Sequence, residues 1–80
     1  MNLTHEANPV RVNARVIRAV YLDRHPHFPV FELEDGIEYT PQEGMLSRYA
    51  PQIGDYLVTQ EDGYEYFNPK DVFERKYHTI

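Results

Sequence analysis

Residues 30–39, VFELEDGIEY, determine the fold prediction, because two alternating segments flank an Asp-Gly dipeptide. Alternation of apolar and polar residues is typical of a half-buried strand, and Asp-Gly between two such segments is a strong hairpin signal. Residues 56–66, YLVTQEDGYEY, repeat the arrangement. A two-residue type I′ turn needs a positive φ at both central positions, so we predict two such turns, at Asp35-Gly36 and Asp62-Gly63.

A further strand is predicted before the first hairpin. From residue 10 to residue 16, β-branched and small apolar residues alternate with Arg11, Asn13 and Arg15, which is a strand pattern. The alternation shifts by one position near Ile17, which predicts a β-bulge there. A helix is the competing interpretation, because an apolar stripe also has helical spacing at Val12, Val16, Ala19 and Val20.

Each hairpin is followed by a helix-start motif, Thr40-Pro41-Gln42-Glu43 and Asn68-Pro69-Lys70-Asp71. A capping Thr or Asn followed by proline at the first helical position satisfies the unpaired N–H groups of a helix start. We therefore predict helices over residues 41–49 and 69–75, and an extended tail, Lys76 to Ile80, that pairs with the strand beginning at Val10.

These elements predict one α+β domain over residues 10–80, with residues 1–9 as a loosely ordered N-terminal arm. The domain contains a small antiparallel sheet of about five strands and two short helices. The predicted core is Val12, Ala14, Val16, Ile17, Val20, Phe31, Leu33, Ile37, Leu46, Ile53, Leu57, Val58, Phe67, Val72 and Phe73, to which the first helix adds Met45 and Tyr49.

Length and composition exclude several classes of function. The chain has 80 residues, no cysteine, no tryptophan and a net charge of −5. The absence of cysteine excludes thiolate zinc sites, cysteine nucleophiles and disulfides. The sequence shows no apolar run near the ~20 residues of a membrane span, and a core this small leaves little room for a reactant cleft. We expect no enzymatic activity, no cofactor and no membrane partner.

The histidines and glycines do not change that expectation. His25 and His27 form a His-x-His pair between prolines, but no carboxylate stands at a spacing that would complete a metal site. The four glycines are isolated, so no phosphate-binding loop is present. Paired carboxylates are plentiful, but turn positions favour exposed, ionised groups rather than a catalytic pair.

Charge is unevenly distributed along the chain, with a basic segment at residues 11–24 (local charge +3) and two acidic segments, at residues 32–43 (−5) and 55–65 (−4). An acidic domain repels a phosphate backbone, so direct nucleic-acid binding is not expected. The basic segment is interpreted as a solvated strand edge or as partners of the acidic segments, and one local basic face is the alternative. Its members are Arg11, Arg15, Arg18 and Arg24.

Aromatic residues make up 14% of the chain, including seven tyrosines. Strand alternation places Tyr64 and Tyr66 on one face, which Tyr39 and Tyr56 join across strands. Tyrosine is enriched at protein interfaces, although cross-strand aromatic pairs also stabilise small sheets without any partner. The predicted partner-binding set is Tyr39, Tyr64, Tyr66, Glu34, Asp35, Glu61 and Asp62, with acidic nucleic-acid mimicry or simple solubility as other roles of the carboxylates.

The second half of the chain resembles a group of short bacteriophage-encoded proteins of uncharacterised function. These share a Pro-x-x-Gly-Asp-(Tyr/Trp)-x-Val strand, a Gly-x-x-Tyr hairpin, a proline and a Phe-x-x-x-Tyr ending. The resemblance covers residues 51–77. The matching residues are Pro51, Gly54, Asp55, Tyr56, Val58, Gly63, Tyr66, Pro69, Phe73 and Tyr77.

The resemblance implies a phage origin and the host cell cytoplasm as the location, and it implies no chemistry. Together with the size and the aromatic strands, it predicts a non-enzymatic accessory protein that binds and modulates a host protein. The alternative is a structural or assembly protein, either a minor virion component or a homo-oligomer joined through an open strand edge.

Overall fold

A computed structural model describes residues 3–7, 10–42 and 44–79 and contains an antiparallel sheet of seven strands with two short helices. This α+β architecture is the predicted one, with more strands than the predicted five. In chain order the elements are β1 His5–Ala7, β2 Val10–Tyr21, β3 Val30–Leu33, β4 Glu38–Tyr39, α1 Met45–Arg48, β5 Tyr56–Gln60, β6 Glu65–Asn68, α2 Lys70–Lys76 and β7 His78–Thr79.

The sheet is organised around β2, which is 12 residues long. One edge of β2 pairs with β5 from Val12 to Val16. The other edge pairs with β1 near its start and with β3 from Ile17 onward. The register shifts between Ile17 and Ala19, which confirms the predicted bulge, and the competing helix over this segment is wrong.

Both Asp-Gly segments form hairpins, but the predicted two-residue type I′ turns are wrong. In the first turn the Gly36 N–H donates to the Leu33 carbonyl at 2.9 Å and the Leu33 N–H donates to the Ile37 carbonyl at 2.9 Å. Within this turn only Gly36 has a positive φ, 85°, and no non-glycine residue among those described has one. This is a three-residue loop, a type I turn closed by a glycine bulge, which lets Asp35 keep an ordinary φ.

The second hairpin uses the same loop. The Gly63 N–H donates to the Gln60 carbonyl and the Gln60 N–H donates to the Tyr64 carbonyl, each at 2.9 Å, and Gly63 has φ 91°. The repeated Glu-Asp-Gly sequence therefore forms the same three-residue loop in both hairpins. The aspartate of each loop contributes as well, because its carboxylate accepts the N–H two residues later, from Ile37 and from Tyr64.

We expect Gly63→Ala to lower the free energy of unfolding by about 1 kcal/mol. A Cβ at Gly63 meets no atom within 4 Å, so the cost comes from the left-handed backbone alone. Urea unfolding measures it. A chemically synthesised chain with D-alanine at this position is the control, since a D-residue favours positive φ; a D-alanine chain as unstable as the L-alanine variant would contradict the explanation.

The core consists of two clusters on opposite faces of the sheet. The first contains Ile17, Phe31, Leu33, Met45, Leu57 and Phe67 and is covered by the β3–β4 hairpin and α1. The second contains Val12, Ala14, Val58, Phe73 and Tyr77 and is covered by α2. Three residues assigned to the core are instead exposed, namely Ile37, Ile53 and Val72. Ile37 and Ile53 lie just outside strands, and Val72 faces away from Phe73 on α2.

Both helices begin later than predicted. Gly44 has φ 90° and immediately precedes α1, so a right-handed helix cannot run through it from Pro41. Glu43, the last residue of the motif that begins at Thr40, lies outside the described residues. The α2 helix begins at Lys70 without a side-chain cap from Asn68. Its first N–H donates instead to the Asp55 carboxylate at 2.9 Å.

Part of the predicted N-terminal arm belongs to the sheet. β1 pairs with β2 on one side and with β7 on the other. The Thr4 hydroxyl accepts the Ala14 N–H at 2.8 Å, which satisfies a β2 donor beyond the end of β1. The tail therefore pairs with β1 and not with β2, because β1 already occupies that edge. Met1, Asn2, Asn8 and Pro9 lie outside the described residues.

Candidate functional site

The four arginines of the basic segment each have a carboxylate partner. Arg18 contacts Glu32 at 2.6 Å, and a hydrogen bond from Arg18, followed by one from the Tyr21 hydroxyl, holds the pKa of Glu32 below its ordinary value. The other pairs are Arg11–Glu6, Arg15–Asp35 and Arg24–Glu38. The expected pairing with the acidic segment at residues 32–43 is thus confirmed for Arg15, Arg18 and Arg24, whereas Arg11 pairs with Glu6 of β1. These arginines do not form an uncompensated basic face.

The acidic turns are exposed, as predicted, but three of their four carboxylates accept hydrogen bonds from other groups of the protein. Glu34 accepts the Val16 N–H at 3.0 Å, and Asp62 accepts within its own loop. Burial alone would raise the pKa of Asp35, but hydrogen bonds from the Ile37 N–H and from Arg15 outweigh it, and the pKa is lowered. These acids are therefore held in fixed positions by their own loops and by β2.

The two acidic turns do not form one patch. The first turn contacts β2 at Val16, whereas the second follows Gln60, which pairs with Val12 on the opposite edge. Four residues of strand separate these points by about 13 Å along β2. The width of the sheet adds to that separation, so the carboxylates of the two turns form two separate clusters.

The structure brings two of the three predicted tyrosines together. The rings of Tyr64 and Tyr66 lie 5.8 Å apart. Tyr39 packs on the other face, edge-on to Phe67 at 6.1 Å, and its hydroxyl donates to Glu65 at 3.0 Å. Burial, and then the charge of Glu65, raise the pKa of Tyr39 far above its ordinary value. Tyr39 thus belongs to the core beneath the β3–β4 hairpin and not to the tyrosine face.

Tyr64 and Tyr66 line a groove of about 400 Å³ between α1 and β6. Neighbouring residues of a strand point to opposite faces, and the groove contacts both Tyr66 and Phe67. It therefore follows the outer edge of β6 and does not lie on either face. Together with the two tyrosines and Phe67, its lining includes Met45 and Arg48 from α1 and Tyr49, the residue that follows α1. We call this the β6 groove.

The outer edge of β6 has no neighbouring strand in the described part of the chain, since β6 pairs only with β5. Gln60 and Tyr64 form the bonded pair that closes the hairpin. Bonded and non-bonded pairs alternate along an antiparallel ladder, so Tyr66 and Asn68 bond to β5. The backbone groups of Glu65 and Phe67 consequently point outward, toward the groove.

Arg48 is the cation of the β6 groove. Its guanidinium donates a hydrogen bond to the Tyr64 hydroxyl, and its central carbon lies 5.9 Å from the centre of the Tyr64 ring. Among residues 3–7, 10–42 and 44–79, no carboxylate forms an ion pair with it. Arg48 therefore differs from the four arginines of the basic segment, whose charges are already compensated.

Tyr49, on the wall of the groove, is held in place by Asp55. The Tyr49 hydroxyl donates to the Asp55 carboxylate at 2.6 Å, and the Gln52 N–H donates to the same oxygen at 2.9 Å. Asp55 is only 7% exposed and also caps α2. Burial would raise the pKa of Asp55, but these hydrogen bonds outweigh it and lower the pKa. One carboxylate thus connects the groove wall to the start of α2.

The lowered pKa of Asp55 predicts loss of stability in acid. Because the folded state holds the proton less tightly than the unfolded state does, the stabilisation is complete above the ordinary value of 3.8 and is lost as the pH falls through the folded-state value. We expect unfolding midpoints in urea to fall between about pH 5 and pH 2. The Asp55→Asn variant should show a shallower decline over this range, and a decline equal to that of the unchanged protein would contradict the assignment.

Sequence reasoning did not identify the α1 side of the groove. The predicted core positions of Met45 and Tyr49 are confirmed, since Met45 belongs to the first cluster and Tyr49 packs against it, but Arg48 is not among the predicted site residues. A weak signal was present, because no Asp or Glu lies within four residues of Arg48. His25, in contrast, has a structural role, since its Nδ1 accepts N–H groups from His27 and Phe28.

The fold and the groove define a small antiparallel α+β domain with an open strand edge beside an aromatic wall. No protein-family model matches the chain, and no curated protein or solved structure matches it either. Within the described ranges, no helix is long and apolar enough to cross a membrane.

Proposed function

We propose that the chain is a non-enzymatic protein-binding domain, and that the β6 groove is its binding surface. The observation that carries the proposal is an aromatic groove along an unpaired strand edge, with an arginine whose charge is not compensated by the described residues. Tyrosine and arginine are the residues that dominate the energetics of protein interfaces. Following the resemblance to phage proteins, the partner is a host protein in the bacterial cytoplasm, whose activity is modulated when its surface is occupied.

Binding accounts for the groove better than catalysis does. The described residues of its lining contribute three aromatic rings from Tyr and one from Phe, a methionine and an arginine. They include no carboxylate, imidazole or thiol that could act as a general base or as a nucleophile. The buried carboxylate nearest to it, Asp55, accepts three hydrogen bonds from the protein itself. That arrangement holds the structure together and leaves Asp55 no role toward a reactant.

The proposed contact set is narrower than the one predicted from the sequence. Tyr64 and Tyr66 are retained, and Arg48 and Tyr49 join them. Glu61 and Asp62 precede Tyr64 in the adjacent loop and stay part of the proposed rim. The loop carrying Glu34 and Asp35 contacts β2 elsewhere, and Tyr39 packs in the core, so the proposed surface does not depend on them.

The open edge of β6 also favours a second candidate, a structural or assembly protein that oligomerises strand to strand. Sedimentation separates the two, because the binding domain is expected to be monomeric at micromolar concentration. Mass spectrometry of purified phage particles provides the second test, since a host modulator is expected to be absent from them. Mimicry of a nucleic acid is not the candidate that the contacts favour, because Glu34, Asp35 and Asp62 accept hydrogen bonds from the protein itself.

The proposal is tested by photocrosslinking in a bacterial lysate. A benzophenone amino acid placed at Tyr64, which is 46% exposed, is expected to crosslink one protein reproducibly. The matched control places it at Leu22, which is 80% exposed and immediately follows the last residue of β2, far from the end of β2 that pairs with Gln60. The crosslink should disappear when Arg48→Ala is combined with the Tyr64 probe. Equal products from both probe positions would contradict a specific surface.

A further inference from the structure

We propose that the occupant of the β6 groove is an extended segment of the partner protein, which adds to the sheet as a strand antiparallel or parallel to β6 and places an Asp or Glu side chain against Arg48. This inference rests on the proposed function and specifies the chemistry of the partner. It combines two independent observations made on residues 3–7, 10–42 and 44–79, namely that the outer edge of β6 pairs with no strand and that no carboxylate forms an ion pair with Arg48.

The backbone of β6 favours an extended occupant. The N–H and C=O groups of Glu65 and Phe67 point away from β5, as the alternation from the Gln60–Tyr64 pair requires. Unpaired edges of this kind are usually blunted by charged side chains, especially lysine, by proline within the strand or by a very short strand. β6 contains neither lysine nor proline, and its one charged residue, Glu65, bonds to Tyr39 and Thr59 within the fold. β6 is four residues long, whereas the other outer strands, β4 and β7, have two residues each.

The side chains that flank the edge suit alternate residues of an added strand. Phe67 lies on the face of the first core cluster, and Tyr66 packs against the second. An added strand would place successive side chains on these two faces in turn, one set against Met45 and Phe67 and the other against Tyr64 and Tyr66. Strand addition obtains affinity from backbone hydrogen bonds and specificity from such alternate contacts.

Arg48 selects the charge of the occupant. A guanidinium has five N–H donors in a planar fork that matches a carboxylate. One donor is used by the Tyr64 hydroxyl, and the remainder have no carboxylate among the described residues. Capture of a peptide's terminal carboxylate normally uses a backbone nest, whereas the donor here is a side chain on the groove wall. A side-chain carboxylate within the strand is therefore the matching group.

A displayed library of eight randomised residues, joined at both ends to a carrier domain so that no terminus is available, tests the inference on the full chain. We expect selection of alternating apolar sequences with Asp or Glu at one fixed position. With Arg48→Glu the preference at that position should change to Lys or Arg. The control Arg75→Glu makes the same charge change on α2, where Arg75 donates to the Asp71 carbonyl, and should leave the preference unchanged.

Single N-methylation of a selected peptide tests the strand geometry. Methyl groups at alternate residues, whose N–H groups face β6, should weaken binding by roughly tenfold or more, and those at the intervening residues should have little effect. Uniform tolerance to N-methylation, a helical selected peptide, or no acidic preference would overturn the inference. So would a stable dimer of the chain in which the Phe67 amide is protected from hydrogen exchange, because a second copy would then occupy the edge.

The two proposals fail in different ways. Suppose that the Tyr64 probe crosslinks a partner, that Arg48→Ala abolishes the crosslink, and that the library selects no acidic strand. The protein-binding function then stands, and strand addition is wrong. If strands are selected but no partner is crosslinked in a lysate, the groove recognises acidic strands and the proposed host partner is wrong.

Discussion

Asp55→Ala is expected to lower the free energy of unfolding by about 3 kcal/mol. The carboxylate is 7% exposed and accepts hydrogen bonds from the Tyr49 hydroxyl and from the N–H groups of Gln52 and Lys70. Removing it leaves three partly buried donors without their acceptor and removes the cap of α2. Each loss alone costs about 1 kcal/mol or more, and water reaching the enlarged space offsets part of the sum. Urea unfolding at pH 7 measures the difference.

Two further variants separate hydrogen bonding from packing at this position. Asp55→Asn keeps the shape and one acceptor oxygen, so its cost should be about half that of alanine. Asp62→Ala is the matched control, because Asp62 is exposed and accepts a single N–H within its own loop; its cost should stay below about 1 kcal/mol. Equal costs for Asp55→Ala and Asp62→Ala would show that the proposed connection between α2 and the groove does not exist.

The Asp55 variants also bear on the β6 groove. Tyr49 has the Asp55 carboxylate as the hydrogen-bond partner of its hydroxyl, so Asp55→Ala leaves the ring of Tyr49 less constrained at the groove wall. A peptide selected by the unchanged protein should therefore bind this variant more weakly even under conditions where the variant is folded. Tyr49→Phe provides the comparison, since it removes the same hydrogen bond and keeps the ring.

The parts of the fold that sequence reasoning predicted correctly are those set by local chemistry. Both hairpins and the bulge near Ile17 depend on side-chain alternation and on residues close in the chain. The turn type was wrong for a local reason as well. Asp-Gly is compatible with a two-residue and a three-residue loop, and the preceding glutamate became part of the loop once Leu33 paired with Ile37.

The helix starts were predicted less well because distant residues compete with local caps. Asn68 and Pro69 form a good capping motif, yet the first N–H of α2 is bonded by Asp55, 15 residues earlier. For α1, the motif at Thr40 conflicts with Gly44, whose positive φ ends any continuous helix from Pro41. Nothing in the order of residues indicates which of two such signals prevails, since tertiary packing decides between them.

The candidate site required the tertiary structure. Tyr64 and Tyr66 were selected from strand alternation, but the same reasoning placed Tyr39 with them, although the β3–β4 hairpin carries it to the opposite face. Arg48 and Tyr64 are 16 residues apart and meet only because α1 packs beside β6. Whether a cation is compensated depends on neighbours in space, so the arginine that matters at the groove could not be distinguished from the other arginines by composition.

The largest effect on stability is expected at Phe73, which joins α2 to the sheet. Its side chain is 1% exposed, and its ring stacks on Tyr56 at 4.1 Å and on Tyr77 at 4.8 Å, with His5 edge-on at 5.1 Å. Replacing a buried phenylalanine by alanine costs about 3–5 kcal/mol. A domain of this length has a total stability of roughly 4–12 kcal/mol, so Phe73→Ala should remove about a quarter or more of the free energy of unfolding, which urea unfolding at 25 °C measures.

Phe73→Leu keeps the test quantitative if the alanine variant does not fold. Leucine fills most of the space but loses the ring contacts, which predicts a cost of about 1.5 kcal/mol and a melting temperature lower by about 8 °C. Val72→Ala is the control on the same helix, because Val72 is 44% exposed and its truncation should change stability by less than about 0.5 kcal/mol. The comparison also reports on β1, since His5 contacts Phe73 directly: hydrogen exchange of the Glu6 and Ala7 amides should accelerate in Phe73→Leu more than in Val72→Ala. If the two variants were equally stable, α2 would not be covering the second core cluster, and the two-cluster description of the core would be wrong.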